Sequence, residues 1–266
     1  MKYLGIDIGG TNIKAVVLER GISKPLEEFV WKSPHEKTAF LALLGQEVQN
    51  IVDSYEIAGI GVGVPGVFDA EKKVLIKAPN LKFLDNWAVG EFFSQFMPPT
   101  TIENDGRLFV RAEVMWGAGK GFQHVIGVAI GTGIGGGILL HGQFYEGAHN
   151  AAGEFGHMLI SSNIAGEPLE WEKLAGKKAY EGLGDRSEII GRGVANLINA
   201  FDPDIVLLGG GGITGGALNV PIIKKTAAKY ILAPAAKKTP IIRGKLGYLA
   251  AAMGATVPFQ IQELPS

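Results

Sequence analysis

The chain has 266 residues, 47% of them hydrophobic, which is enough for one large domain or two of ordinary size. Its formal net charge of −1 argues against a nucleic-acid footprint or a polybasic membrane patch. With no cysteine, disulfides and thiolate metal sites are excluded, and a cytoplasmic setting is expected.

In chain order, residues 2–8 and 12–18 read as two apolar strands joined by Gly9-Gly10-Thr11. Met1-Lys2 runs directly into the first of them, so no signal peptide is expected, and no apolar run approaches the ~20 residues that span a bilayer. A third strand is expected over 27–32. A helix over 36–55 follows from Phe40, Leu43, Leu44, Val48, Ile51 and Val52 at helical spacing. Residues 58–64 form an apolar strand ending at Pro65-Gly66. A short helix over 88–96, a strand over 100–103 and a helix over 106–117 complete the first half.

The pattern then repeats. A strand over 124–130, a Gly-rich turn over 131–137 and a return strand over 138–144 are followed by helices around 168–181 and 186–200. A strand over 205–208 enters Gly209-Gly210-Gly211-Gly212. Helix 218–232, strand 240–243 and a closing helix from 246 end the chain. The repeated unit argues for an internal duplication into two α/β lobes, 1–107 and 108–245, with the closing segment 246–266 packed on the first. Two such lobes would meet at a cleft faced by both Gly-rich turns. Glycine, at 39 residues, is about twice its usual share and lacks a Gly-X-Y period, so tight turns around a ligand are expected.

Three segments carry chemistry. The turn after Asp7 brings backbone N–H groups of Gly9 and Gly10 close to anionic oxygens, with the Thr11 hydroxyl as a further donor. Asp7 repels phosphate, so its natural partner is a divalent cation carried with a nucleotide. Gly131-Thr132-Gly133 opens the second turn, which has more glycine than a hairpin needs. Thr101-Ile102-Glu103-Asn104-Asp105 ends a strand on three polar residues before a helix. Asp105 there can accept a proton from a substrate hydroxyl, or the Asn-Asp pair can cap the helix, and the two readings are compatible. In Gly153-Glu154-Phe155-Gly156-His157, the acid and the imidazole share a face, suited to sugar hydroxyls or to a metal; zinc would need further ligands.

Taken in order, Asp7–Thr11 with Lys14, residues 61–66, Ala78-Pro79-Asn80-Leu81, Glu103-Asn104-Asp105, the 131–137 turn and residues 153–157 resemble ROK proteins (repressors, open reading frames, kinases) over about residues 3–212. The resemblance implies an α/β fold of two RNase H-like lobes, the actin-like ATPase and sugar kinase fold, with the active site in the cleft. It implies an ATP- and Mg²⁺-dependent sugar kinase that transfers the γ-phosphoryl to a hydroxyl of glucose or a related hexose, commonly the 6-OH. Asp105 then matches the general base. Asp7, Gly9, Gly10 and Thr11, with Lys14, match the first phosphate turn, and Asp7 meets Mg²⁺ through water. Gly131, Thr132 and Gly133 match the second turn, and Gly210 and Gly211 the adenosine position. Gly66, Asn80, Glu103, Asn104, Glu154, His157 and Glu170 match the sugar-binding positions, and a homodimer is the family habit.

Two departures stand out. Many ROK proteins bind a structural zinc through a cysteine cluster after the histidine; the stretch 158–168 has none, so no structural zinc is expected and His157 is freed for the substrate. Arg107 follows Asn-Asp-Gly where small or amide residues are usual, and either a carboxylate or a ligand phosphate would pair with it. Polyphosphate as donor is the alternative reading. A non-catalytic sugar sensor would carry an N-terminal helix-turn-helix, and the first strand begins too early for one.

Overall fold

The computed structural model describes residues 1–261, so residues 262–266 of the expected closing segment lie outside the described residues. The chain forms two compact units, one of Met1–Ala112 joined by the return segment from Leu249, the other of Glu113–Tyr248.

The first unit is built on β1 (Lys2–Ile8), β2 (Asn12–Glu19), β3 (Glu27–Lys32), α1 (Lys37–Tyr55), β4 (Ile57–Val64), a small hairpin of β5 (Val67–Asp69) and β6 (Val74–Lys77), α2 (Val89–Phe93), β7 (Thr100–Asn104) and α3 (Asp105–Trp116). Its main sheet runs β3-β2-β1-β4-β7. β1 pairs antiparallel with β2 and parallel with β4, and β4 pairs parallel with β7. α1 starts where the Glu36 carboxylate accepts the N–H groups of Thr38 and Ala39, and it turns Phe40, Leu44, Val48 and Ile51 into the core.

The second unit contains β8 (Val125–Ile130), β9 (Ile134–Leu140), β10 (Gln143–Phe144), β11 (Leu159–Ser162), β12 (Pro168–Glu170), α4 (Trp171–Ala175), α5 (Lys177–Leu183), α6 (Ser187–Phe201), β13 (Ile205–Gly209), α7 (Gly211–Thr214), α8 (Val220–Tyr230) and β14 (Ile241–Arg243). Its sheet runs β10-β9-β8-β13-β14 with the same senses, two antiparallel pairings then two parallel ones. The duplication expected from sequence is therefore present in strand order and direction. The return segment adds α9 (Ala250–Ala255) and α10 (Val257–Ile261) to the first unit.

Two expected elements differ. β9 begins at Ile134, so the second turn is three residues and Gly135, Gly136 and Gly137 lie on the strand. Gly136 is required there by packing rather than by a bend: a Cβ would overlap the Gly127 carbonyl oxygen and stand 2.7 Å from the Phe155 ring. The expected helix from 168 opens instead as a strand, because residues 168–170 pair with β11, and α4 starts only at Trp171.

Much of the remaining glycine serves close approach of backbones. A Cβ on Gly5 or Gly61 would overlap the carbonyl oxygen of Ala252 or Ala255, so α9 lies directly on β1 and β4. In the second unit, fully buried Glu113 accepts N–H groups from Ala118 (2.8 Å), Lys245 (3.0 Å) and Leu246 (2.8 Å), fastening the end of α3 to the segment after β14.

Replacing Gly61 by Ala should destabilise the protein by about 3 kcal/mol, since helix and strand must part to admit the methyl group. Denaturant unfolding checks this, and an unchanged midpoint would show that α9 is not held against β4.

Candidate active site

In the first unit, β1 delivers Asp7 at its end and β2 returns Lys14 as its direct cross-strand partner. The carboxylate is buried, and the Lys14 ammonium pairs with it at 2.9 Å. The turn between them is closed by Gly9 N–H on the Asn12 carbonyl (3.1 Å). Buried Ser33 braces it from β3's end: its hydroxyl donates to the Gly9 carbonyl at 2.6 Å, and its N–H to the Thr11 carbonyl at 3.0 Å. Asn80 lies against the same turn, with its Cβ 3.2 Å from where a Cβ of Gly10 would stand.

At the end of β7 the three polar residues take distinct places. Asn104 caps α3, its side-chain oxygen accepting N–H groups of Gly106 (2.9 Å) and Arg107 (3.3 Å) while its amide donates to the Gly66 carbonyl at 3.2 Å. Gly66 has φ 83° and closes the end of β4. Asp105 is the first residue of α3 and accepts the Gly106 N–H at 2.8 Å. Glu103 faces two guanidinium groups, Arg111 at 2.7 Å and Arg107 at 3.6 Å, spaced along one helix face. Arg107 thus pairs with a carboxylate, and its side chain is almost fully buried.

In the second unit, the turn Gly131-Thr132-Gly133 follows β8. Gly131 N–H bonds the Gly133 carbonyl (2.9 Å), and the N–H of Lys177 donates to the Gly131 carbonyl (3.0 Å). Glu172 on α4 supports the exit, accepting the Ile134 N–H at 3.2 Å; a Cβ on Gly133 would stand 2.5 Å from its Oε2. Gly210 has φ 81° at the exit of β13, and Gly211 opens α7. A Cβ on Gly210 would overlap Ile130, so both strand exits lie together, with Tyr180 beside Gly212.

The 153–157 segment lies against β9, with Gly153 under the Gly136 carbonyl and Gly156 under that of Ile134. This brings Glu154 and His157 to the strand that leaves the second turn. His157 Nδ1 stands 3.6 Å from Glu170 Oε1, and Lys173 Nζ 3.0 Å from Glu170 Oε2. The hydrogen bond from Lys173, followed by its charge and that of His157, holds the Glu170 carboxyl below the ordinary carboxylate range.

The first unit therefore gathers Asp7, Gly9, Gly10, Thr11, Lys14, Gly66, Asn80, Glu103, Asn104 and Asp105; the second gathers Gly131, Thr132, Gly133, Glu154, His157, Glu170, Gly210 and Gly211. Sequence reasoning missed Ser33, Arg111, Glu172 and Lys173. Only the 103/107/111 spacing and the 170/173 spacing were local enough to be read.

The family model for ROK proteins matches residues 3–181. The chain belongs to the ROK family. Among curated relatives, an N-acetylgalactosamine kinase of Shewanella sp. (strain ANA-3) is 29% identical, covering 79% of this chain and 81% of that one. A ROK glucokinase from Streptomyces griseus, solved with glucose and AMPPNP, superposes with a TM-score of 0.83 at 22% identity, covering 96% and 98% of the two chains. An inorganic polyphosphate/ATP-glucomannokinase from Arthrobacter sp. strain KM superposes at 0.75 with 26% identity, covering 98% and 99%. The sugar kinase fold of this ROK protein is thus established over nearly its whole length.

Since its folded-state pKa is depressed, the Glu170 pairing contributes above the carboxyl's unfolded value and is lost as pH falls through the lowered one. Lys173→Met should move the Glu170 titration upward toward the ordinary value, read by carboxyl-carbon NMR. An unmoved titration would show that Lys173 does not set it.

Proposed function

We propose that this ROK protein is an ATP-dependent hexose kinase that transfers the γ-phosphoryl group to a sugar hydroxyl, the 6-OH of glucose or a related hexose. The observation that carries the reading is Asp105 at the exit of β7, with the neighbouring Asn104 taking the cap, in a family whose curated relatives include a hexosamine kinase.

The step is an in-line displacement: the hexose oxygen bonds the γ-phosphorus, the bond to the bridging β,γ-oxygen breaks, and ADP leaves. Asp105 takes the hydroxyl proton. N–H groups of the two Gly turns, with Thr11 and Thr132, bind the phosphates, Gly210 and Gly211 border the adenosine, and Lys14 balances charge beside Asp7. Gly66, Asn80, Asn104, Glu154, His157 and Glu170 orient the sugar. Glu103 belongs to the same set, but its engagement by Arg107 and Arg111 suits it to holding the β7–α3 junction rather than to direct recognition.

A hydrated dication fits Asp7, an oxygen donor buried at the mouth of the first turn and charge-balanced by Lys14. Mg²⁺ bound there with the nucleotide would screen the phosphates. A homodimer and a cytoplasmic setting complete the proposal; among the described residues no helix is long and apolar enough to cross a membrane.

Polyphosphate as donor is a second reading, favoured by the 26% identity to a polyphosphate/ATP-glucomannokinase. Lys173, Lys177 and Lys178 on α4 and α5 beside the second turn suit a polyanion, although Lys173 and Lys177 are paired with Glu170 and Glu181.

Purified protein given Mg²⁺-ATP should release ADP only with an acceptor, across a panel including glucose, mannose, N-acetylgalactosamine and N-acetylglucosamine. Asp105→Asn should lower kcat by about 100-fold or more with folding retained. Wild-type-like turnover would remove Asp105 as base. Sugar phosphate formed with polyphosphate and not with ATP would establish the second reading. In Gly133→Val, a side chain forced onto Glu172 should weaken ATP binding about tenfold or more, measured by calorimetry; unchanged affinity would reduce that turn to scaffolding.

A further inference from the structure

The segment between His157 and Glu170 is where this chain departs from the zinc-binding members of its family, and its residues do not fit a zinc ion. Zinc takes four ligands drawn from thiolates, imidazoles and carboxylates. Residues 158–168 supply no cysteine and no histidine, and their one carboxylate, Glu167, accepts the Asn163 amide at 2.8 Å. Among the described residues, no group of three or more such side chains could hold a metal ion.

What occupies the segment is the β11–β12 hairpin. At its base, the N–H of Trp171 donates to the Met158 carbonyl at 2.8 Å, and Leu159 pairs with Glu170. Trp171 is fully buried, and its indole N–H bonds the Ile189 carbonyl on α6 (3.2 Å), so the base is anchored in the core. The tip is exposed and takes no anchor from burial. Asn163 closes it instead. Its side-chain oxygen accepts the N–H groups of Ala165 and Glu167, both at 2.9 Å, and its backbone exchanges bonds with Glu167 and Gly166, also at 2.9 Å. Ladder, tip and base together fix how His157, which precedes β11, meets Glu170, which ends β12. The register shift between Leu159 and Ser161 falls beside that pair, where a bulge re-aims neighbouring side chains.

We propose that this hairpin is a metal-free positioning element: its Asn163-closed tip and Trp171-anchored base hold His157 against Glu170 and thereby set sugar affinity, with no requirement for zinc. The inference rests on the hexose kinase reading for its kinetic consequence, but the His157 geometry is independent of it. Asn163 and Trp171 are positioning residues. His157 presents Nδ1 to Glu170, which is backed by Lys173, and leaves Nε2 as the ring nitrogen turned away from that carboxylate.

The test uses the full chain and two variants, Asn163→Ala and Asn163→Asp. Elemental analysis should find no stoichiometric zinc, and 1,10-phenanthroline should leave sugar-dependent turnover unchanged in Mg²⁺-ATP. Asn163→Ala should raise the sugar KM about tenfold with kcat and the ATP KM within about twofold, the size of effect that loss of an orienting shell produces. Asn163→Asp, which keeps the acceptor oxygen for the Ala165 and Glu167 N–H groups but sets a second carboxylate against that of Glu167, should recover part of that affinity. Bound zinc, loss of activity with the chelator, or an unchanged sugar KM in Asn163→Ala would each overturn the proposal. If the wild type transfers phosphate to no sugar, the kinase reading fails and the hairpin is judged by NMR of the His157 ring nitrogens. A change of tautomer balance in Asn163→Ala supports the positioning role, and an unchanged spectrum refutes it.

Discussion

The first unit depends on one close approach, that of α9 against β1 and β4. Helix and sheet ordinarily stand apart by the depth of their side chains, but here Gly5 and Gly61 leave the strands bare beneath the carbonyls of Ala252 and Ala255. Gly254 in turn lies against the Leu108 carbonyl of α3. The three segments held in this way place candidate residues at their ends: Asp7 near the end of β1, Gly66 just past β4, and Asp105 at the start of α3. Backbone against backbone offers no side-chain rotamers to relax, so these positions are set by hard contact rather than by adjustable packing.

The second unit solves the same problem with the same sheet order and different braces. β1–β2 and β8–β9 each turn through a short Gly-containing link, and in each unit the parallel neighbour is followed within two residues by a glycine with positive φ, Gly66 and Gly210. Ser33 fixes the first link through a hydroxyl and a backbone N–H; Glu172 fixes the second through a carboxylate. The duplication thus preserves the strand exits at which α/β folds place their ligands, while the residues that stiffen them have diverged.

This division explains what could be read from the sequence. The strands of the two main sheets, α1, α3 and α6, and the order of the Gly-rich segments follow from local periodicity and composition, and they carried the resemblance to the family. The braces did not, because their partners are remote: Ser33 acts 24 residues away, Glu172 acts 38 away, and Glu113 reaches 133 residues to Leu246. Glycine misled in one place. In 135–137 it reads as a continued turn, yet Ile134–Leu140 is a strand whose glycines make room for Phe155 and the 153–157 segment. Residues 168–170 similarly read as helix and form a strand, since β11 offers them a ladder that no local signal announces.

In the proposed reaction a sugar hydroxyl, and not water, receives the phosphoryl group. Incubating the protein with Mg²⁺-ATP carrying ¹⁸O on its γ-phosphoryl oxygens, together with the hexose panel, and examining the products by mass spectrometry tests it directly. The expected product is a hexose phosphate bearing the labelled oxygens, with unlabelled oxygen bridging carbon and phosphorus. Label recovered only in inorganic phosphate, at a rate indifferent to sugar, would contradict it.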